Sequence, residues 1–499
     1  MSRTRKSKQT RRKNSHKPRS KQQAAKRKQK NHADHLGGVL DWLLPHDGIF
    51  AGLRLHGNTT WLPRCLVVLA VCWAWAETRN VTDAFTHAVE WCGGMGHVAV
   101  PATYQGFMRV LVRWTDSLMP ILWKVIHQRM KQIAGTFWEI SGWVPIAFDG
   151  SRSTAPRTQS NEKAFCAPNY GKGKKAKRKK KKSKGMRRRN NEKNQPQPQE
   201  PQAWITLMWH MALRLPWVWR LGPSNSSERA HVMEMLDDED FPENTRFCGD
   251  AGFVGYPLWE RIIDRGFNFM VRVGANVHLL SETVDLCMQS GGRVLCWPKA
   301  MMDSDMPALE LRLVQVRIGK TQVWILTSVL SASDLSKKDL VKLYKKRWGI
   351  EVEFRGLKQT LDRAKLRCRD AQRLLAELNW SLMAMTLAEL FALKEQLAPS
   401  VTRSSDEPEG NPDKRSLANT VRALRHALTH LSEVPKRGET LPHKLRHAVT
   451  DRYKRKSSKR ARYRPPNPDK KPLGDPKIRQ LTTAEKKKLS DPKTQQIAA

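Results

Sequence analysis

The chain has 499 residues, and its 90 Lys and Arg against 47 Asp and Glu give a formal net charge of +43. That length allows roughly two to four domains, and a hydrophobic content of 39% can fill their cores, which excludes a chain disordered throughout. The eight Cys form no C-x-x-C pair and no His/Cys cluster at metal spacing, which argues against a zinc module or a disulfide scaffold and suggests a reducing compartment.

The charge is concentrated in three places. Residues 1–35 hold 14 basic residues and one acid, Asp34. Residues 171–190 hold 13 basic residues and no acid, and residues 436–499 hold 20 basic and six acidic ones. The rest of the chain is then close to neutral. Such runs repel themselves and lack apolar periodicity, so they are expected to be disordered when free. Solubilising tails are the plainer reading, but this density suits a polyanion, with nucleic acid first because phosphate neutralisation releases counterions. A nuclear-targeting role for residues 179–182 also stays open.

Residues 36–142 read as a helical domain. The longest apolar run, residues 65–76, is too short to span a membrane. The basic N-terminus has no apolar stretch of the secretory kind, so no signal peptide is expected. Residues 61–77 suit a buried helix, and Thr82 can cap a second one. Residues 104–133 repeat apolar side chains at helical spacing.

From residue 143 the pattern turns mixed α/β. A short apolar strand over 144–148 ends at Asp149. The basic, low-complexity insert 160–202 follows, then strands over 204–213 and 215–219 and a helix over 228–236, with Asn225 and Glu228 at capping-box spacing. Another short strand, 245–249, ends at Asp250. A helix around 256–265 leads to a strand over 269–273, and a β-rich insertion covers 277–330. A long helical segment starts near Lys337, with Ser336 and Asp339 as a capping pair, runs through Lys358 and continues, with or without a break, to residue 397. A linker covers 398–412, an amphipathic helix 413–435 and a basic tail 436–499.

Two Asp residues at strand ends and Glu351 on a later helix are hard oxygen donors that can converge on Mg²⁺. An isolated Asp at a strand end more often caps a turn, so the helix carries the argument. At about 100° per residue, Tyr344, Arg347, Glu351 and Lys358 fall within about 60° of arc, while Ile350, Phe354, Leu357 and Leu361 lie beside them. Glu353 points to the far side. An Arg347–Glu351 surface ion pair would explain two members of the set, but not Tyr344 and Lys358.

Residues 344–358 read Y-x2-R-x3-E-x6-K. This run resembles the signature of the DDE transposases of bacterial insertion sequences known as the YREK type. Phe148-Asp149-Gly150-Ser151 and Gly249-Asp250-Ala251-Gly252-Phe253 resemble that family's first and second catalytic Asp motifs. The resemblance covers roughly residues 36–395. It implies an RNase H-like catalytic domain over 143–397, interrupted by the β-rich insertion. Asp149, Asp250 and Glu351 would be catalytic and hold two Mg²⁺ ions, for which Mn²⁺ can substitute. Tyr344, Arg347 and Lys358 would grip DNA phosphates.

The implied partners are double-stranded DNA, as terminal inverted repeats and target, and a second copy of the chain on that DNA. No membrane is implied, and the implied location is the bacterial cytoplasm at the nucleoid. The helical domain 36–142 would either recognise element ends or buttress the catalytic domain. Rival readings are a catalytically inactive DNA-binding derivative and an RNase H-like nuclease without strand transfer. Trp297 and Trp324 could stack on a base, although a core role is favoured for both in a chain with 18 Trp. Leu417, Val421, Leu424, Leu428 and Leu431 repeat at heptad spacing, which suits a coiled-coil seam or a face packed on the chain's own body.

Overall fold

The computed structural model describes residues 30–45, 47–54, 61–97, 103–166, 200–319, 321–398, 410–450 and 473–490. The basic arm up to residue 29, the basic insert 167–199, the linker 399–409 and residues 451–472 and 491–499 lie outside the described residues.

Four helices open the described chain: α1 (His32–Leu43), α2 (Pro63–Trp75), α3 (Val81–Gly94) and α4 (Tyr104–Ala134). Asn31 and Asp34 form a reciprocal capping box on α1. Pro63 starts α2, where its missing N–H has no partner to lose. The cap of α3 is Asn80 rather than Thr82, because Asn80 Oδ1 accepts the Thr82 N–H. Thr103 caps α4 by accepting the Gly106 N–H.

Strand β1 (Val144–Thr154) runs well beyond the apolar stretch 144–148. Its polar second half persists because β2 (Gln202–His210) pairs with it along its length, from Ile146 opposite His210 to Thr154 opposite Gln202. Helix α5 (Gln159–Phe165) lies between these two strands in sequence. Strand β3 (Leu215–Gly222), α6 (Glu228–Asp238), β4 (Thr245–Gly249), α7 (Tyr256–Asp264) and β5 (Asn268–Val273) complete the first part of the sheet. The strand order is β3-β2-β1-β4-β5, with β1, β2 and β3 antiparallel and β4 and β5 parallel to β1. This is the expected RNase H-like arrangement.

The insertion extends that sheet rather than folding away from it. It comprises β6 (His278–Ser281), α8 (Val284–Ser290), β7 (Gly291–Cys296), α9 (Lys299–Asp303), β8 (Leu309–Ile318) and β9 (Thr321–Thr327). β9 pairs antiparallel with β5, and β8, β7 and β6 follow outward. Then come α10 (Lys337–Arg347), α11 (Gly349–Gln359), α12 (Ala371–Gln396), α13 (Leu417–Thr429) and α14 (Leu441–Arg446). Ser336 caps α10 as expected, accepting the Asp339 N–H.

One apolar core runs from Leu36 to Leu445 and joins the first helices, the sheet and the C-terminal helices. Helix α12 lies at its centre. It is long and apolar enough to cross a membrane by length and composition alone, yet it is largely buried in protein here. Trp75 donates its indole N–H to the Ala384 carbonyl, and the Trp380 indole donates to Thr115 Oγ1, so both large rings are buried with their polar atoms satisfied. The apolar stripe of α13 also serves this core. Val421, Leu424 and Leu428 are buried, Leu417 and Leu431 partly so, and the helix packs on α12, α14 and α1. The stripe therefore covers the chain's own body and is closed to a coiled-coil partner.

The 436–499 segment differs from a featureless tail. Besides α14 it forms β10 (Lys477–Gln480), which pairs parallel with β6 as the tenth strand, and α15 (Thr483–Leu489) with its own capping box. Trp324 is buried, with its indole N–H donated to Asp475 Oδ1, and Trp297 is buried with its N–H on the Met306 carbonyl. Both are core residues, not stacking platforms.

Candidate active site

Asp149 sits mid-strand on β1, Asp250 immediately follows β4, and Glu351 lies in the first turn of α11. β1 and β4 are neighbouring parallel strands, so the two Asp positions share one edge of the fold. Local chemistry fixes both. Asp149 Oδ1 accepts its neighbour Gly150 N–H at 2.9 Å, and Asp250 Oδ1 accepts the Gly252 N–H at 2.7 Å. A side chain at Gly249 would meet the Phe148 ring at 2.6 Å, so the strand end packs tightly only with glycine there.

Arg347 ties the site together. Its guanidinium lies 3.8 Å from Asp149 Oδ2 and 3.4 Å from Glu351 Oε1, and it stands 5.6 Å from the Tyr344 ring. The arginine is buried, which strengthens these interactions relative to a surface pair. Lys358, further along the same helix than Glu351, donates from Nζ to Ser151 Oγ at 2.7 Å. Burial lowers the Lys358 pKa. Asp149, Gly150, Ser151, Glu351, Arg355 and Lys358 line an open cleft of about 420 Å³. Five of the six predicted residues are linked here through contacts or lining; Asp250 joins through the field it exerts on Asp149. Burial pushes the Asp149 carboxyl up to about 6; Gly150 and Arg347 oppose the rise, and Asp250 and Glu351 add to it.

Glu228 is a site residue that the sequence pattern assigns elsewhere, to a capping box with Asn225. The cap of α6 is instead Ser227, which accepts the Ala230 N–H. Glu228 is thereby released to lay its carboxylate over Gly150, where an added Cβ would stand 2.1 Å from Oε1. Burial first, then the charges of Asp149 and Asp250, raise its pKa to about 7. No spacing rule marks this residue, because it comes from a helix far beyond Asp149 in sequence.

The donor set suits a hard divalent cation: three carboxylates on three elements, with Asp149 raised in pKa by its surroundings, and a guanidinium bridging two of them where positive charge is needed. As placed, however, no three His, Cys, Asp or Glu groups among the described residues close round a single point. Arg347 occupies the space between Asp149 and Glu351.

Residues 205–387 match the family model described as the transposase DDE domain. That stretch of the chain is thus similar to a transposase DDE domain. The match begins after β1, so Asp149 precedes it, whereas Asp250 and Glu351 fall within it. Among solved structures, the chain is similar to that titled "Cryo-EM structure of piggyBac transposase synaptic complex with hairpin DNA (SNHP)" at 12% identity, with 85% of this chain and 84% of that one covered and a TM-score of 0.34. A search of curated protein sequences gives no match.

Proposed function

We propose that this enzyme is a transposase of the YREK type found in bacterial insertion sequences, which cleaves DNA at the ends of its own element and joins them to target DNA. The observation that carries the reading is the Arg347 bridge between Asp149 and Glu351, with Lys358 fixed on Ser151 across the same cleft. Asp149, Asp250 and Glu351 would hold two Mg²⁺ ions, with Glu228 adjacent. Bound there, such a pair activates the attacking oxygen and stabilises the leaving one in an in-line displacement.

The remaining steps belong to the chain. Arg347 presents a planar fork suited to a phosphate, and Lys358 a point charge further along the strand. When a phosphate enters, Arg347 can exchange its carboxylate contacts for phosphate oxygens, which frees Asp149 and Glu351 for the cations. The Tyr344 ring stands 5.6 Å from the guanidinium and would join it in gripping the phosphate. The basic segments supply sequence-independent affinity for the backbone. The active species would be a pair of chains on DNA, in the bacterial cytoplasm at the nucleoid.

Replacing Asp149, Asp250 or Glu351 by Ala tests the assignment. Cleavage of supercoiled plasmid in Mg²⁺ or Mn²⁺ should be lost while DNA binding persists. Full cleavage by the Glu351→Ala protein would overturn it. Joining of a 3′-hydroxyl donor strand to plasmid separates a transposase from a nuclease without strand transfer.

A further inference from the structure

The three carboxylates assigned to the cations are not held in the same way. Asp149 lies in the ladder between β1 and β2, and Glu351 in a hydrogen-bonded helix. Asp250 begins the connection 250–255 from β4 to α7. It turns the chain locally: its carboxylate accepts the Gly252 N–H at 2.7 Å and its carbonyl the Phe253 N–H at 3.2 Å. A carboxylate on such a connection keeps its place only if the connection itself is anchored.

The anchors are side chains from three different places. The Ala251 carbonyl accepts from Asn276 Nδ2 at 3.2 Å, the Phe253 carbonyl from Trp259 Nε1 at 3.2 Å and the Val254 carbonyl from Arg229 Nη1 at 2.7 Å. Trp259 belongs to the core: it is buried on α7, and its ring stacks on Phe269 of β5 with centroids 5.5 Å apart. Arg229 and Asn276 are exposed. Arg229 follows Glu228 in the first turn of α6, so that turn serves the cleft twice, with a carboxylate over Gly150 and a guanidinium on the Asp250 connection.

Asn276 sits in the turn 274–277 between β5 and β6, which closes with the Val277 N–H on the Gly274 carbonyl at 2.9 Å. The C-terminal segment grips this turn. The Ala275 N–H donates to the Leu473 carbonyl and the Lys477 N–H to the Val277 carbonyl, both at 3.0 Å, and a side chain at Gly274 would run into Leu473. The segment that leads into β10 thus braces the turn that presents Asn276. Exposed hydrogen bonds add little to stability, because water competes for the same groups. What these two bonds fix is the course of the backbone next to Asp250.

Resting on the reading of Asp250 as a cation ligand, we infer that Arg229 and Asn276 are positioning residues, which hold the Asp250 connection in register with Asp149 and Glu351 for the divalent cations.

The test titrates Mn²⁺ into the full-length proteins by calorimetry, with thermal melting and plasmid cleavage alongside. Removing the Arg229 charge beside a group of carboxylates would by itself tighten cation binding, whereas loss of positioning weakens it, so the sign separates the two roles. Arg229→Ala and Asn276→Ala should each weaken Mn²⁺ binding about tenfold. Their melting temperatures should change by less than about 3 °C, since both side chains are exposed. Arg229→Lys keeps the charge and a donor for the Val254 carbonyl, and should bind Mn²⁺ within about threefold of wild type. Cleavage by the two Ala variants should fall at low Mn²⁺ and recover when the ion is saturating. Unchanged or tighter Mn²⁺ binding in both Ala variants would overturn the inference alone. So would weaker binding accompanied by a large drop in melting temperature, since the two bonds would then be structural. An Asp250→Ala protein that binds Mn²⁺ as wild type does would overturn the reading of Asp250 as a ligand, and the inference with it.

Discussion

Gly349→Ala sets two effects against each other. Ala is favoured over Gly inside a helix by about 1 kcal/mol, and Gly349 has no positive φ to lose. Against this, the new methyl carbon would stand 2.1, 2.8 and 3.1 Å from three carbons of the Trp209 ring. Carbon contacts are comfortable near about 3.5–4.0 Å, so relief demands a shift of roughly 1.5 Å. Trp209 cannot supply it, because its ring is fully buried on β2. The helix must move, and overpacking of this kind costs about 1–3 kcal/mol. The net stability change is therefore small, between about 0 and 2 kcal/mol of destabilisation. The consequence for activity is larger. Glu351 follows closely on the same helix, and a misplacement of about 1 Å at a reacting group can lower a rate about 100-fold. Thermal melting and plasmid cleavage, measured together, should show a modest drop in melting temperature with a severe loss of cleavage. Trp209→Phe in the same chain should restore part of the rate. A Gly349→Ala protein that is about 1 kcal/mol more stable and cleaves normally would show that this close approach does not position α11 for the proposed reaction.

Three further outcomes follow from other sites. Leu424→Asp should lower the melting temperature sharply, since the side chain is fully buried in the core, whereas pairing of DNA ends by the surviving folded fraction should persist; analytical sedimentation with and without DNA separates these. His210 is buried and neutral, with Nδ1 accepting the Leu213 N–H and its pKa pushed down to about 3 by burial. Its contribution is complete above the unfolded value of about 6.5 and is lost as pH falls, because only the unfolded chain then takes the proton; between pH 6.5 and 5 this costs on the order of 2 kcal/mol, and denaturant melts at the two pH values should show a flatter dependence in His210→Gln. Gly150→Ala should be tolerated structurally because the obstructing group is the mobile end of Glu228, but it should displace that carboxylate and weaken Mn²⁺ binding measured by calorimetry; unchanged Mn²⁺ affinity would remove Glu228 from the site.

The parts of the fold legible in sequence are those set by local pattern. The apolar runs that lead into Asp149 and Asp250, the Ser336 cap and the buried Ile350, Phe354 and Leu357 all follow from neighbours within one turn or one strand. Where pairing partners are distant, the pattern is silent. The polar half of β1 is a strand only because β2 lies beside it, and β10, a Lys- and Arg-rich segment, is a strand only because β6 offers an edge from far earlier in the chain. Glu228 is obscured by a plausible local role, the capping box, that Ser227 fills instead. The α13 stripe has the right periodicity, but periodicity does not say what covers it; the neighbours that do, α12, α14 and α1, come from both ends of the described chain.

The far side of α11 carries the last of these consequences. Glu353 is buried there with Glu389 from α12 and Arg415, which immediately precedes the α13 cap Ser416. Arg415 Nε lies 3.5 Å from Glu389 Oε1, and the same guanidinium donates through Nη1 to the Leu213 carbonyl at 2.9 Å. One guanidinium cannot neutralise two carboxylates. Burial and the Glu389 charge raise the Glu353 pKa well above the usual carboxylate range, so Glu353 keeps its proton and shares a hydrogen bond with Glu389. The trio is then neutral as a whole and links α11, α12 and the start of α13. Glu353→Gln preserves both shape and charge count, and should cost less than about 1 kcal/mol. Arg415→Met leaves the Glu389 charge buried without its partner and should cost about 3–5 kcal/mol. The two variants therefore rank the roles by charge rather than size. Denaturant melts of both proteins at pH 7 measure the ranking. A Glu353→Gln protein as damaged as Arg415→Met would mean that Glu353 is ionised, and that a second positive charge, for which Arg214 is the nearest source, balances it.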